Sequence, residues 1–168
     1  MDSIISLENG SGAFLRNNGK YLLIKRSAER KIAPNVWSCV GGHMEQNEIN
    51  NPLDTCLREI AEETGIEKEH IINLKLRYII IRRFENTIRQ NYIYFGETNM
   101  ERFIDTDEGK LYWIKEEELL NREYTQTYTA MLQHYINNKD KQEKITVGVA
   151  GNINGKLKMN WTMVEDFK

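Results

Sequence analysis

Apolar residues at two different spacings divide the chain into predicted strands and helices. Segments rich in β-branched and aromatic side chains are typical of strands, and apolar positions three to four residues apart are typical of helices. The predicted strands are 74–84, 88–97, 110–114, 145–150 and 157–164. The predicted helices are 52–64, the short acidic stretch 115–121, and 125–138. Residues 152–155 predict a turn that joins the last two strands as a hairpin, and 99–109 predicts a loop. The pattern indicates a mixed α/β chain.

One predicted helix has start and stop signals at both ends. Asn51 is a suitable N-cap, and Pro52 suits the first helical position because its missing N–H would be unsatisfied there anyway. Gly65 suits the position just after the helix. The residues at helical spacing that form its largely apolar stripe are Leu53, Cys56, Leu57, Ile60 and Thr64.

Three glutamates of this helix are predicted to project away from the apolar stripe. Glu59, Glu62 and Glu63 stand at i, i+3 and i+4 and are therefore neighbours in space. Arg58 is placed to pair with Glu62 or with Glu48. A solvated acidic helix face is the simpler interpretation of the glutamates alone. The glycine pair at 41–42 just upstream favours a site for a hard, oxygen-binding cation such as Mg²⁺ together with a phosphate chain.

Residues 42–66 resemble the Nudix box, G-x5-E-x7-R-E-U-x-E-E-x-G-U, of the MutT-like Nudix hydrolases, where U is a bulky aliphatic residue. The positions of this chain that match it are Gly42, Glu48, Arg58, Glu59, Ile60, Glu62, Glu63, Gly65 and Ile66. Nine residues instead of seven separate Glu48 from Arg58. The capped helix start places the two extra residues, Ile49 and Asn50, in the loop before the helix.

The resemblance extends over about residues 11–138. Segments 11–15 and 21–26, joined by the turn signal Asn17-Asn18-Gly19, look like the first two Nudix strands, and 34–38 is similar to the approach to the box. The resemblance implies a mixed β-sheet sandwiched between helices, within a single domain over residues 1–168. Residues 139–168 would be an extension whose β-hairpin adds strands, covers the substrate or contacts a second copy.

The resemblance also implies roles for the residues of the box. Glu59, Glu62 and Glu63, with the carbonyl of Gly42, would hold Mg²⁺ or Mn²⁺, and Glu59 or Glu63 would orient or deprotonate the attacking water. Arg58 would pair with Glu48 and lock the loop against the helix. Many relatives add a carboxylate from outside the box. Glu108 is the first candidate for it and Glu97 the second, although both are equally consistent with ordinary surface acids.

The substrate is implied less directly. The predicted substrate-binding residues are Arg77, Tyr78 and Tyr94, within a wider set of aromatic and arginine residues that includes Phe84, Trp113, Arg82, Arg83 and Arg89. In strands, however, aromatic residues more often belong to the core. GGHME at 41–45 is similar to the GGHLE of some members that cleave nucleoside triphosphates. It favours a nucleoside triphosphate, including an oxidised one such as 8-oxo-dGTP, cleaved to monophosphate and pyrophosphate.

Other substrates and other functions are also consistent with the sequence. ADP-ribose, nucleotide sugars and dinucleoside polyphosphates are alternative substrates. A non-catalytic nucleotide sensor is disfavoured by the intact glutamates. An isoprenoid diphosphate isomerase, which shares the fold, would need a reactive cysteine, and Cys39 is the only candidate.

The length of the chain and its share of charged residues are typical of a single globular domain. The chain has 168 residues, 29% of them charged, and a net charge of −2, which gives no indication of binding to nucleic-acid polymers or membranes. The N-terminus does not resemble a signal peptide, and the two cysteines do not suggest a disulfide framework. We therefore expect a cytoplasmic enzyme that acts on a small nucleotide, as a monomer or a homodimer.

Overall fold

The computed structural model describes residues 5–29, 33–104, 106–139 and 144–166. The strands in this part of the chain are β1 (Ser6–Asn17), β2 (Lys20–Arg26), β3 (Trp37–Ser38), β4 (Val40–His43), β5 (Ile71–Phe84), β6 (Thr87–Thr98), β7 (Gly109–Lys115), β8 (Thr146–Ile153) and β9 (Lys156–Met163). The helices are α1 (Pro52–Thr64) and α2 (Gln126–Asn137), with 3₁₀ turns at Gln46–Glu48, Lys68–His70 and Glu116–Asn121.

All of these strands belong to one mixed sheet. Its order is β3-β2-β1-β6-β5-β8-β9, with β4 paired to β1 and β7 paired to β2. β1 runs parallel to β6, and β5 runs parallel to β8, whereas the other pairs are antiparallel. Asn18 and Gly19, both at positive φ, make the β1–β2 turn that the sequence predicts.

Each face of the sheet buries one core against one helix. Successive residues of β1 separate to the two faces: Ala13 and Leu15 pack with Cys56 and Ile60 of α1, and Phe14 packs on the other face with Met131, Leu132 and Tyr135 of α2. This arrangement confirms the predicted sheet between helices. Neither α1, α2 nor any other helix in the described part of the chain combines the length and apolarity that a bilayer crossing requires.

Helix α1 begins and ends where the sequence predicts, but it is rotated about its axis. Pro52 is its first residue, and Gly65 follows it in the left-handed conformation with φ of 74°. Leu53, predicted in the apolar stripe, is 39% exposed, whereas Glu63, predicted to project away from it, is 6% exposed. The buried face has turned toward Glu63 because a backbone N–H of β4 binds its carboxylate.

Two other regions differ from the prediction made from the sequence. The stretch predicted as a short acidic helix forms only the 3₁₀ turn Glu116–Asn121 because, of its six residues, Leu119 alone is buried and can hold it to the core. Strand β1 begins at Ser6 instead of residue 11, since its first half pairs with the start of β6. The loop predicted at 99–109 is present up to β7, apart from Asp105, which lies outside the described residues.

The C-terminal hairpin is confirmed as an addition to the same sheet. β8 pairs with β5, and β9 forms the edge beyond it. Trp161 and Met159 of β9 pack against the core beneath α2. Most of the predicted linker at 139–144, residues 140–143, lies outside the described residues.

Candidate active site

The site is built where β4 passes between β1 and α1. Gly41 and Gly42 of β4 lie opposite Gly12 and Ser11 of β1. Gly41 has φ of 150°, and a Cβ there would collide with the backbone of Ser11 and Gly12. Because only glycine permits this approach, the backbone of β4 lies close enough to receive the glutamates of α1.

A larger residue at position 42 is disfavoured by a side chain, whereas at position 41 it is disfavoured by the backbone. The three heavy atoms nearest to a Cβ on Gly42 would all belong to the carboxylate of Glu59, close enough to collide with it. The carboxylate of Glu59 therefore lies directly against the backbone of β4, in the space that any larger residue would fill.

Alanine at these two glycines is expected to have opposite consequences. The nearest atoms to the new methyl group in Gly42→Ala are at the end of a flexible side chain, so the substitution should displace the carboxylate of Glu59 and lower turnover at least about tenfold, with the melting temperature nearly unchanged. Gly41→Ala meets fixed backbone at positive φ and should unfold at a clearly lower temperature. Thermal melts and steady-state rates test the pair. Full activity of Gly42→Ala would show that Glu59 does not need this position.

Arg58 holds the acidic cluster together. Its Nε donates to Glu48 Oε1 at 2.8 Å, and Nη2 donates to Glu48 Oε2 at 2.9 Å. Nη1 donates to Glu59 Oε1 at 2.9 Å and to Glu62 Oε2 at 3.1 Å. Nη2 also donates to the carbonyl of His43 at 3.1 Å. These contacts confirm both pairings predicted for Arg58, and they raise the pKa of its guanidinium, Glu48 being the largest cause.

Glu48 closes the loop that carries the two extra residues. Besides Arg58, its carboxylate accepts the Thr55 hydroxyl and the Glu45 N–H, both at 2.9 Å. The bonds from Arg58 and from the Glu45 N–H lower the pKa of Glu48 to about 2. Glu48 is thus ionised and fully engaged, and Ile49 and Asn50 fall between its turn and α1 without disturbing the helix.

Glu63 is the most buried carboxylate of the cluster. Its Oε2 accepts the Gly41 N–H at 2.8 Å. Burial raises its pKa to about 7; the Gly41 bond opposes this shift, and the charges of Glu59 and Glu108 add to it. A buried carboxylate with a pKa raised to near neutrality is typical of functional sites.

The charges around Glu59 are only partly compensated. Burial raises the pKa of Glu59, Arg58 opposes the shift, and the charges of Glu62 and Glu108 add to it. Glu108 therefore acts electrostatically on both Glu59 and Glu63 from the turn before β7. Glu97 is not among the main causes of either pKa shift, whereas its charge helps to raise the pKa of Tyr21.

The carboxylate oxygens of the cluster suit a hard divalent cation chemically, but their positions do not surround one. Carboxylate and carbonyl oxygens with excess negative charge are what Mg²⁺ prefers. No group of three or more His, Cys, Asp or Glu side chains in the described ranges is placed to hold a metal ion directly. Arg58 bonds one oxygen each of Glu59 and Glu62, and the Gly41 N–H bonds one oxygen of Glu63, so the second oxygen of each carboxylate is the one that could bind a cation.

A cleft of about 460 Å³ opens beside the two glycines. Arg26, Arg82 and Arg89 line it, together with Trp37 and Tyr128. The arginines thus line the cleft itself, whereas Glu59 and Glu63 lie behind the two glycines that form part of its wall.

Two of these arginines lie opposite each other on adjacent strands. Arg82 of β5 pairs in register with Arg89 of β6. Arg89 makes an ion pair with Glu8 at 2.6 Å, whereas Arg82 makes no ion pair or hydrogen bond with any described residue. Burial lowers the pKa of Arg82, and the neighbouring charge of Arg89 lowers it further. An anion in the cleft would relieve this repulsion.

The aromatic side of the cleft comes from β3 and α2. The Arg122 guanidinium covers the Trp37 ring at 5.3 Å, and the Tyr128 hydroxyl lies 3.6 Å from Cys39 Sγ. Burial raises the pKa of Cys39 to about 12, so its thiol is protonated at neutral pH. A protonated, 3% exposed thiol argues against the isomerase alternative, which needs a reactive cysteine.

The structure does not bring the three predicted substrate-binding residues to this cleft. Tyr78 is 5% exposed in the core beneath α2, and Tyr94 is 6% exposed in the core beneath α1. Arg77 lines a separate cavity. From the wider predicted set, Arg82 and Arg89 reach the cleft, whereas Trp113 does not. The sequence did not predict Arg26, Trp37 or Tyr128 as cleft residues. Arg26 and Trp37 lie in segments 21–26 and 34–38, which resemble the Nudix pattern, but no signal gave them a role in a site.

The fold and the acidic cluster define the class of the protein, and comparison with known proteins defines its family. The family model for the NUDIX domain matches residues 7–135. The chain belongs to the NUDIX family. Enzymes of this family generally use divalent metals such as Mg²⁺.

Individual relatives resemble parts of the chain. It is 44% identical over 54 residues, 32% of this chain and 18% of the relative, to the m7GpppN-mRNA hydrolase NUDT17 of Xenopus laevis. It is 41% identical over 51 residues, 30% of this chain and 35% of the relative, to the nucleoside triphosphatase NudI of an Enterobacter species, strain 638. The matches thus span about a third or less of these curated relatives. The MutT protein of Bacillus halodurans superposes with a TM-score of 0.72 at 20% identity, over 92% of this chain and 97% of that one, which shows a shared fold.

Proposed function

We propose that this protein hydrolyses a nucleoside triphosphate to the monophosphate and pyrophosphate with the aid of Mg²⁺ or Mn²⁺. The observation that carries the proposal is the closeness of opposite charges around the glycine pair. Glutamates with raised pKa values lie behind Gly41 and Gly42, and Arg26, Arg82 and Arg89 line the cleft in front of them. The local similarity to a nucleoside triphosphatase supports the choice of substrate.

The glutamates would hold the metal and handle the proton. Glu59, Glu62 and Glu63, with the Gly42 carbonyl and with Glu108, supply only oxygen ligands. A bound divalent cation neutralises phosphate oxygens and lowers the pKa of the attacking water. Arg58 and Glu48 would position the cluster without touching the substrate.

The reaction then needs little covalent chemistry from the protein. A water oxygen bonds to phosphorus, one P–O bond of the anhydride breaks, and pyrophosphate leaves. Glu63 is the favoured acceptor for the proton of the water, because it is the most buried carboxylate of the cluster and lies against the glycine pair. The arginines of the cleft would bind the phosphates, and Trp37 and Tyr128 would stack on the base.

Arg82→Gln is expected to weaken substrate binding. Losing one charge-assisted hydrogen bond, worth about 1.5–3 kcal/mol, should raise KM roughly tenfold to 100-fold. The protein should be as stable as wild type or more so, because the repulsion from Arg89 disappears. Arg83→Gln is the matched control, since Arg83 lies outside this cleft on the same strand and bonds the Glu85 carbonyl. Equal KM values for both variants and wild type would remove Arg82 from the substrate site.

A second substrate class, dinucleoside polyphosphates and related capped nucleotides, is favoured by one observation. A further pocket of about 740 Å³ meets the cleft at Arg82 and Thr127 and is lined by Phe84 and the tip of the C-terminal hairpin. It offers space for a group beyond the phosphates. Comparing kcat/KM for a nucleoside triphosphate and a dinucleoside polyphosphate tests the choice. If the longer substrate is preferred, and Phe84→Ala lowers only its turnover, the first proposal is replaced by the second.

We also propose a reducing, cytoplasmic location and a single domain. Both cysteines are free and buried, at Cys39 and Cys56, which suits a reducing compartment. The continuity of one sheet from β1 to β9 supports treating the hairpin as part of the same domain.

A further inference from the structure

A second cavity lies between α2 and the C-terminal hairpin, apart from the cleft. Its volume is about 110 Å³, and it shares no lining residue with the cleft. More than half of its lining residues lie beyond residue 135, where the family match ends. The cavity is therefore largely a product of the extension that this chain adds to the family fold.

Aromatic side chains form the walls of this cavity, and contacts between their rings fix their positions. The His134 ring lies 4.5 Å from the Trp161 ring at 32°, and 5.7 Å from the Tyr78 ring edge-on. The Tyr78 hydroxyl and His134 Nδ1 are 2.9 Å apart and share a hydrogen bond. His134 is thus fixed in orientation between β5 and β9.

The charge of the cavity is positive. Arg77 and Lys144 line it, and neither Asp nor Glu is among its described lining residues. Lys144 pairs with Glu165 on the exposed side. Arg77 is half-buried and makes no ion pair or hydrogen bond with any described residue. A guanidinium that lines a cavity with its donors unpaired favours an anionic ligand, because it can give that ligand charge-assisted hydrogen bonds.

We infer that this cavity is a binding site for a small phosphate-type oxyanion, held by Arg77 and Lys144 against the Trp161 wall. A volume of about 110 Å³ is well below the roughly 300–1,000 Å³ of sites for larger organic ligands, so a nucleoside is excluded by size. Inorganic phosphate and pyrophosphate carry the required charge and acceptors. The inference does not depend on the proposed hydrolysis, because it uses none of the residues of the cleft.

The three tryptophans supply a direct test on the full chain. Trp161 lines the cavity, Trp37 lines the cleft, and Trp113 lies in neither. Phosphate and pyrophosphate are titrated separately, without divalent metal or nucleotide, while the three indole N–H signals are followed by NMR. Trp161→Phe assigns its signal, and sodium chloride at matched ionic strength controls for screening. We expect at least one of the two anions to give a saturable shift of the Trp161 signal, with that of Trp113 unmoved.

Variants make the test specific. Arg77→Gln should weaken the binding at least about tenfold, the loss expected for one charge-assisted bond, and Lys144→Gln should also weaken it. Lys75→Gln, an exposed lysine of the same strand outside the cavity, should leave it unchanged. Arg82→Gln should also leave it unchanged, which separates this site from the cleft. The inference is overturned if the Trp161 signal does not move with either anion. It is equally overturned if the shift persists in both cavity variants or is lost with Arg82→Gln.

Discussion

Glu63→Gln is expected to lower metal-dependent turnover at least about 100-fold. The same substitution is expected to make the folded protein more stable at neutral pH. The substitution keeps the size of the side chain and an oxygen that can accept the Gly41 N–H, 2.8 Å from Glu63 Oε2. It removes a buried negative charge that Glu59 and Glu108 oppose. Activity falls because a metal ligand and the proposed proton acceptor are lost together.

The gain in stability depends on pH in a defined direction. The pKa of Glu63 is raised to about 7 in the folded protein, so folding favours its protonated form. That contribution is complete at acidic pH, below the ordinary carboxyl range, and it is lost as pH rises through about 7. Glutamine does not titrate. The advantage of Glu63→Gln over wild type should therefore be small near pH 5 and grow to at most roughly 3 kcal/mol near pH 8.

Urea unfolding of metal-free protein at both pH values measures this difference. Glu62→Gln is the control, because its carboxylate is 60% exposed and its removal should change stability little at either pH. Glu63→Gln would contradict the account if it kept turnover within about twofold of wild type, or if it were less stable than wild type at pH 8.

Arg58→Met is expected to lower the free energy of unfolding by about 2–4 kcal/mol. The substitution keeps an apolar stem but removes every donor to Glu48, Glu59 and Glu62. Glu48, 9% exposed, would then keep only Thr55 and the Glu45 N–H as partners. Turnover should fall as well, since the loop and the cluster lose their common anchor.

The pH dependence of this pair has the opposite sign to that of Glu63. The pKa of Glu48 is lowered to about 2, so the pair stabilises the protein above the ordinary carboxyl range and loses its effect as pH falls toward 2. The deficit of Arg58→Met should accordingly shrink in acid. Arg58→Met combined with Glu48→Gln should recover part of the loss. A deficit below about 0.5 kcal/mol at pH 7 would show that the contacts of Arg58 add little.

Local signals in the sequence predicted much of the fold. Pro52 and Gly65 bounded α1 correctly because caps depend on neighbouring residues alone. The Asn18-Gly19 turn and the late hairpin followed from turn chemistry in the same way. The pairing of Arg58 with Glu48 was predicted from the family pattern, and the extra loop residues did not change it.

The predictions that were wrong concern features that depend on contacts between residues distant in sequence. The rotation of α1 that buries Glu63 comes from a hydrogen bond to Gly41 of β4, 22 residues away in the sequence, which helical spacing does not reveal. Strand β5 has a register shift between Leu76 and Tyr78, so strict alternation cannot say which of its arginines share a face. Arg77 consequently lies in the second cavity, and Arg82 lies in the cleft.

The aromatic side of the cleft could not be predicted for a related reason. Trp37 belongs to a two-residue strand, and Tyr128 to the first turns of α2. They meet only because β3 joins the edge of the sheet next to β2 and α2 crosses the same face.

The most direct test of the central claim is hydrolysis by wild-type protein with Mg²⁺, with Mn²⁺ and with a chelator. The substrates are normal and 8-oxo nucleoside triphosphates, ADP-ribose, a nucleotide sugar and a dinucleoside polyphosphate, and chromatography resolves the products. We expect a nucleoside triphosphate to be converted to monophosphate and pyrophosphate only when a divalent metal is present, and Glu63→Gln to lose at least about 100-fold of this turnover. Equal turnover with the chelator, or no cleavage of any substrate by folded wild-type protein, would contradict it.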